Sequence, residues 1–326
     1  MNYRRVIKTV SAVLGIGAFM LGGGAALGQD YPNRPIRFIV PWSTGGGGDV
    51  AVRILTQALS IRLGQPILVE NRPGANGQIG ANLTAKSAPD GYTLMQDGGE
   101  THAINPHVYK NLQYDPTRDF VGIAPFVIIP FALAARPDLP ANSVKELVAL
   151  VKQSQGKSTY ASWGIGSTSQ IGMEMFKAQA GIEAVHVPYP RESPGIVALI
   201  AGQVDVMVMT AGAASRQAGK VKVLAVTVPE RFSNLPNVPT LREEGYAVDA
   251  YNWLGVVAPA KTPAPIIQRL AAEIQIVLQS PEIKEKYRAM GFETHAPMSQ
   301  PDFNRFMASE IVRWGEVIKR ANIRLD

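Results

Sequence analysis

The stretch Pro35-Ile36-Arg37-Phe38-Ile39-Val40-Pro41-Trp42-Ser43-Thr44-Gly45-Gly46-Gly47-Gly48-Asp49 decides the fold class. Its first six residues have the branched and aromatic content of a short strand, which Pro41 closes. A glycine run follows. A helix is then predicted from about Asp49 to Leu63, because Ile54, Leu55, Ala58, Leu59 and Leu63 recur on one side and Gly64 supplies a stop. Strand, glycine loop and helix in that order form half of a βαβ unit. The loop exposes backbone N–H groups beside a helix N-terminus, where the helix dipole favours an anion. A nucleotide-phosphate loop requires Lys followed by Ser or Thr after the glycines, whereas Asp49-Val50 stands here. A carboxylate cradle needs only donors and room, and it fits the loop better. Asp49 is open to a second reading as a helix cap.

Working outward, the same alternation continues. Ile67–Glu70 and Tyr92–Met95 read as strands, and Val121 to Leu133 is an apolar run interrupted by Pro125 and Pro130, suited to a crossing between two lobes. Ser143 and Glu146 have capping-box spacing ahead of a helix. Thr159–Ser162 reads as a strand, followed by the loop Trp163-Gly164-Ile165-Gly166-Ser167-Thr168-Ser169 and a helix stopped by Gly181. This second loop repeats the anatomy of the first, with hydroxyls able to donate to ligand oxygens. Later strands are expected at Val185–Val187, Val204–Met209 and Val221–Val228. Helices are expected from Ser193-Pro194 to Ala201, from Thr262-Pro263 to Leu278, and from Ser299 to Arg320. Two βα sets imply an α/β chain with two lobes and a cleft, since ligands sit at the carboxyl ends of strands in open α/β sheets. Residues 29–126 and 226–326 are assigned to lobe 1, and 127–225 to lobe 2.

Composition narrows the function. With 326 residues, 46% hydrophobic and 18% charged, the chain can build a packed core. Half of its net charge of +6 comes from Arg4, Arg5 and Lys8, and no Lys/Arg stripe is interleaved with aromatics, so nucleic acid is not an expected partner. Arg4, Arg5 and Lys8, the apolar run from Val10 to Leu21, and the small residues around Ala26-Leu27-Gly28 have the layout of a cleaved secretory signal over residues 1–28. Glycines at 15, 17, 22, 23 and 24 argue against a membrane anchor. No cysteine is present, so neither a lipid-modified export signal nor a disulfide is available. The expected product is exported, periplasmic, soluble and not lipid-anchored.

Catalysis finds little support. His102 and His107 lack metalloprotease spacing and are separated by Pro106, and Ser167 is not set in a G-x-S-x-G elbow. No cofactor or metal is expected. The alternative kept beside a binding protein is a secreted serine hydrolase of a small ester or amide, using Ser167 or Ser169.

These residues resemble one family over nearly all of the chain beyond residue 28. The matching segments include Tyr31-Pro32-x-Arg34-Pro35-Ile36, the Val40-Pro41 to Asp49 loop and Leu63-Gly64-Gln65-Pro66. Val69-Glu70-Asn71-Arg72-Pro73-Gly74-Ala75 with Gly77 and Ile79-Gly80-Ala81 is the most specific of them. Ala88-Pro89-Asp90-Gly91-Tyr92-Thr93-Leu94, His102-Ala103-Ile104-Asn105-Pro106, His186-Val187-Pro188-Tyr189, Gly202-Gln203-Val204-Asp205 and Leu235-Pro236-x-Val238-Pro239-Thr240 continue the pattern. The chain resembles the substrate-binding proteins of tripartite tricarboxylate transporters, the Bug-type extracytoplasmic solute receptors. The resemblance implies a type II periplasmic-binding-protein fold, a small carboxylate ligand, a two-component membrane permease as partner, and a monomer. It also implies that one ligand carboxylate is held by main-chain groups of the first βα loop and of the second-lobe loop together, with ordered water. That nominates Gly45, Gly46, Asp49, Ser162 and Ser167, with Ser43 and Thr168 in the same loops and Asp205 on the far side.

The departures from the family pattern bear on the ligand. Trp42 stands where Phe is frequent, and Trp163 sits in the opposing loop. Gln170 replaces the His of a Ser-x-x-His pattern, and Tyr189-Pro190-Arg191-Glu192 replaces Tyr-Lys-Gly-Gly. Arg191 could fork onto a second carboxylate, and the two indoles could sandwich a flat ring. An aromatic or dicarboxylic acid is therefore expected. Two plainer readings stay open: Trp42 packing under its loop, and Arg191 pairing with Glu192 on the surface.

Overall fold

The computed structural model describes residues 31–324. The signal expected at residues 1–28 therefore lies outside the described residues. The opening stretch forms as its residue types dictate. Strand β1 (Ile36–Val40) is almost wholly buried, and helix α1 (Gly47–Leu63) starts from Gly46 and stops at Gly64, which takes the left-handed conformation at φ 67°. Ala51, Val52, Leu55, Leu59 and Leu63 are buried on the α1 face turned to the sheet.

Strands β2 (Ile67–Asn71) and β3 (Thr93–Gly98) flank β1 and run parallel to it. Strand β4 (Phe120–Ala135) comes next, 16 residues long. A second parallel set is made by β5 (Thr159–Ser162), β6 (Val185–Pro188) and β7 (Val206–Thr210). Strands β8 (Lys222–Val226) and β9 (Tyr251–Pro259) both run antiparallel to β4. The hydrogen-bonded order is β2-β1-β3-β9-β4-β7-β5-β6.

Strand β4 joins the two halves. Its residues 120–130 pair with β9, and from Phe131 to Ala135 it pairs with β7 and, from Ala132, with β8. The handover falls between Pro130 and Phe131. The apolar run of residues 121–133 is thus one shared strand, buried on both faces because both halves pack on it. Strand β9, which the sequence reading did not name, carries the return. The chain leaves β8 at Val226 and re-enters the first sheet only at Tyr251, later than residue 226.

Helices cover the sheets. In the second half, α4 (Val144–Gln153) opens at Ser143, whose side chain accepts from the Glu146 N–H, while Glu146 accepts from the Asn142 N–H at 2.7 Å. Helix α5 (Thr168–Ala180) is capped by Ser167, which accepts from the Gln170 N–H. Helix α6 (Glu192–Ile200) begins one residue before the expected Ser193, with Arg191 in the cap position. Helices α8 (Ala264–Gln279) and α10 (Gln300–Arg320) close the first half, and Phe303, Met307 and Trp314 of α10 are buried. Among the described residues, no helix is long and apolar enough to cross a membrane.

Candidate functional site

The strand directions fix where a ligand can sit. The carboxyl ends of β1 and β3 in one half and of β5, β6 and β7 in the other point to a common cleft, the place where open parallel sheets bind ligands. A cavity of about 470 Å³ lies there. Trp42, Asn76 and Glu100 line it from the first half. Trp163, Ile165, Ser167, Pro190, Arg191, Glu192 and Thr210 line it from the second.

The first-half loop is braced from below. The Asp49 carboxylate accepts from the Gly45 N–H (2.9 Å), from Asn71 Nδ2 (2.9 Å) and from Arg53. Burial alone would raise its pKa, but these donors outweigh it and hold the carboxyl below its ordinary value. Asp49 is therefore part of the loop's scaffold rather than its ligand surface. The first intrahelical bond of α1 runs from the Val50 N–H to the Gly46 carbonyl, so the amides of Gly47, Gly48 and Asp49 precede it as unpaired donors. Beneath them lies Gln96 of β3, buried, with its Oε1 without a hydrogen-bond partner. A Cβ on Gly48 would come within 3.0 Å of Gln96 Nε2 and 3.3 Å of the Trp42 ring, so a larger residue there would have to push those side chains aside. Trp42 thus both packs against its own loop and lines the cavity.

The second-half loop consumes its own polar groups. Ser167 Oγ donates to the Gly164 carbonyl at 2.6 Å, and the Gly166 N–H donates to Gln170 Oε1 at 2.8 Å. That contact fixes the Gln170 amide, leaving its Nε2 as donor to His186 Nδ1 at 3.2 Å. His186 Nε2 then carries the proton and donates to Ser162 Oγ at 2.6 Å. Burial also lowers the His186 pKa, keeping the ring neutral. Ser162 and His186 so resemble a dyad, but the imidazole faces the hydroxyl with N–H rather than a lone pair, and it cannot act as base there. Ser162 is fully buried and Ser169 donates to the Val208 carbonyl at 2.5 Å.

Two carboxyl side chains in the wall were not anticipated. Glu100 sits on a single π-helical segment, residues 99–104, directly after β3. A Cβ on Gly99 would come within 2.8 Å of Asn252 Oδ1, so the close approach that delivers Glu100 to the cleft requires glycine. Glu100 Oε1 accepts from Thr168 Oγ1 (3.0 Å) at the first turn of α5, and Oε2 accepts from Asn252 Nδ2 (2.7 Å). Burial raises its pKa against those donors. Glu192, at the first turn of α6, accepts from the Thr210 N–H at 2.6 Å, and burial of its carboxyl raises its pKa too. Glu192 does not pair with Arg191. Among the described residues Arg191 is exposed and makes no ion pair or hydrogen bond, with its side chain at the cavity wall.

Of the residues expected at the site, Trp42, Trp163, Ser167 and Arg191 line the cavity. Ser43, Gly45 and Gly46 lie in the exposed loop beside it, and Asp49, Ser162 and Thr168 are buried behind its wall. Asp205 is a correction. It precedes β7, accepts from the Thr159 N–H at 2.8 Å and pairs with Arg136 at 2.9 Å. That is the amino end of β5 and β7, a strand length or ~16 Å from the cleft, so Asp205 ties strand starts together and does not line the far side. Asn76, Glu100, Ile165, Pro190, Glu192 and Thr210 were missed. Only Glu100 had a usable signal, a charged residue directly after two glycines at a strand's carboxyl end.

A family model described as "Tripartite tricarboxylate transporter family receptor" matches residues 51–323. Protein BugT of Bordetella pertussis (strain Tohama I) is 34% identical over 331 residues, covering 100% of both chains. Among solved structures, R. palustris Rpa4515 with adipate superposes with a TM-score of 0.80 at 32% identity, covering 90% of this chain and 99% of that one. MatC from Rhodopseudomonas palustris with bound malate gives 0.75 at 30% identity, covering 88% and 100%.

Proposed function

The chain belongs to the tripartite tricarboxylate transporter receptor family, and on that premise we propose that its cleft captures a small organic carboxylate outside the cytoplasmic membrane and presents it to a two-component permease. The protein is a solute-binding receptor of the Bug type rather than an enzyme, with the two-lobed α/β fold of periplasmic binding proteins. The observation that carries the ligand class is the pairing of unsatisfied donors at one cleft. The Gly47 and Gly48 amides stand at the α1 N-terminus beside Trp42, and the partnerless Arg191 guanidinium stands opposite. Both favour an anion, the first through the helix dipole and the second through a forked pair of hydrogen bonds.

The indoles of Trp42 and Trp163 reach the cavity from opposite halves, which suits a ligand with a flat or aliphatic body between them. Adipate and malate, found in two structural relatives, support a carboxylate of this size. An aromatic or dicarboxylic acid fits if one carboxylate meets the α1 amides and another meets Arg191. The lobes would close about β4 at Pro130–Phe131 and the connection of residues 227–250, and ligand would shift that equilibrium by its differential affinity for the closed form. Export to the periplasm rests on the residue 1–28 pattern and on the family.

Thermal unfolding of the chain from residue 29 onward, against citrate, adipate, malate, glutarate, benzoate, terephthalate, glutamate and 4-aminobutyrate with their amides, tests this reading. A ligand at a hundredfold excess over its dissociation constant adds about 2.7 kcal/mol of stability. Shifts with acids and none with amides are expected. Absence of a shift with every carboxylate overturns it.

A further inference from the structure

We infer that the ligand carries a cationic nitrogen as well as its carboxylate, held between Trp42 and Trp163 against the Glu192 and Glu100 carboxyl groups. This rests on the receptor reading and narrows its ligand class to amino or ammonio carboxylates.

The second half of the cleft is the reason. A bare helix N-terminus at α5 would offer a second anion site, matching the one at α1. That site is already filled by the protein itself. Glu100 Oε1 accepts from Thr168 Oγ1 at 3.0 Å, in the first turn of α5, placing a first-half carboxyl where a ligand's second carboxylate would otherwise go. The loop's hydroxyls give no alternative, since Ser162 and Ser167 both donate to the Gly164 carbonyl. What remains facing the cavity is acceptor-rich. Glu192 lines the cavity with its carboxyl accepting from Thr210, through the N–H at 2.6 Å and the side chain, and among the described residues it forms no ion pair.

A carboxylate placed against this pair meets like charge or forces protonation. A cationic nitrogen, methylated or not, supplies the compensating charge, and it does so between two indoles. Tryptophan is the strongest of the aromatic faces for a cation, and an indole pair backed by carboxyl groups is a recognition pattern for ammonium ions. Arg191, at the mouth, and the α1 amides lie on the same cavity and orient the ligand's anionic end away from Glu192. Burial of Glu100 and Glu192 supports the assignment, because a bound cation offsets the cost of ionising them.

Calorimetric titration with butyrate, 4-aminobutyrate, 4-(trimethylammonio)butyrate and glutarate separates the possibilities. They share a short aliphatic body and differ at one end. The inference expects the two nitrogen compounds to bind about tenfold or more tighter than butyrate, and glutarate to gain nothing over butyrate. In E192Q, which keeps an acceptor for the Thr210 N–H, the ratio of 4-aminobutyrate to butyrate should collapse towards one, while the glutarate-to-butyrate ratio rises. Unliganded melting of E192Q checks that it folds, and E100Q removes the other carboxyl in a second variant. Tighter binding of glutarate than of either nitrogen compound, with E192Q leaving the ratios unmoved, overturns the inference and leaves the carboxylate receptor standing. No binding of any acid in the series or in the wider panel overturns both.

Discussion

The two cleft loops share one anatomy, strand then small-residue loop then helix N-terminus, yet they end in opposite electrostatic states. In the first, residues 41–49, a buried carboxylate braces the loop from behind and leaves the α1 amides unpaired. In the second, residues 162–169, the hydroxyls turn inward and a glutamate from the other half occupies the helix end. Which face of the loop the carboxylate takes decides whether the helix terminus remains a binding site or is already satisfied. Sequence symmetry between βα units therefore does not imply symmetry of ligand contacts.

The strongest way to break the comparison is to remove the brace. Asp49→Ala deprives the Gly45 N–H and the Asn71 amide of a buried acceptor. The Arg53 side chain is 46% exposed, so its ion pair adds little once solvent screens it. The orphaned donors should cost about 2–3 kcal/mol in chemical denaturation, with carboxylate binding abolished. Retained binding would show that the loop holds its shape without Asp49. Next in size is the indole pair. Trp42→Ala and Trp163→Ala should each weaken the bound acid by roughly tenfold or more in titration. Because Trp163 also packs edge-on against Phe131 with ring centroids 5.5 Å apart, it should carry the larger stability loss of the two. Equal stability losses would mean that Trp42's contacts with its own loop matter as much as that aromatic pair.

How much of this was legible in the sequence follows from what each feature depends on. Strand β1, the glycine loop and helix α1 are local, so periodicity and punctuation were enough. The crossing role of residues 121–133 was legible because a strand buried on both faces reads as a continuous apolar run. Strand β9 was not, since Tyr251–Pro259 follows a long irregular connection and its pairing with β4 spans more than 120 residues. Trp42, Trp163 and Arg191 could be chosen by loop position alone. Asp205 could have been doubted from the sequence, because it stands at the start of the expected strand Val204–Met209 whereas ligands sit at carboxyl ends; the resemblance alone nominated it. Glu192 escaped for another reason: a charged residue is normally read as surface, and only the fold shows it turned into the cleft, whereas Glu100 had a signal in the two glycines before it.

The pH dependence sharpens the comparison from the glutamate side. Burial raises the Glu100 and Glu192 pKa values. A group whose folded pKa lies above its unfolded one contributes stability below the unfolded value, and that contribution disappears as pH rises through the folded value. The unliganded protein should therefore lose stability as pH climbs from just above the ordinary glutamate range. E100Q should reduce that loss, with its Nε2 donating to the Thr168 hydroxyl and its Oε1 still accepting from Asn252. Urea midpoints at pH 5 and pH 8 measure it, and an E100Q difference equal to the wild-type one would mean that Glu100 stays ionised in the fold. Asp49, whose pKa is lowered, has the opposite sign and loses its contribution only in acid.

The smallest effect tests what the Ser162–His186 contact is for. Ser162 Oγ accepts from His186 Nε2 and from the Gly164 N–H and donates to the Gly164 carbonyl, so every partner of the hydroxyl belongs to the loop's own framework. Its job is to set the loop's shape. Ser162→Ala should cost about 1–2 kcal/mol, because it removes one net hydrogen-bond contribution and leaves His186 Nε2 unpaired. Affinity should fall only slightly, since Ser162 lies behind the wall. Neither wild type nor variant should turn over p-nitrophenyl butyrate, because the neutral imidazole already points its proton at the oxygen it would have to deprotonate. Turnover in the wild type that Ser162→Ala abolishes would require the opposite tautomer, and with it a flipped Gln170 amide that gives up its bond from the Gly166 N–H. One kinetic measurement on a hydroxyl outside the cavity thus reads out which way the second loop's polar groups are turned.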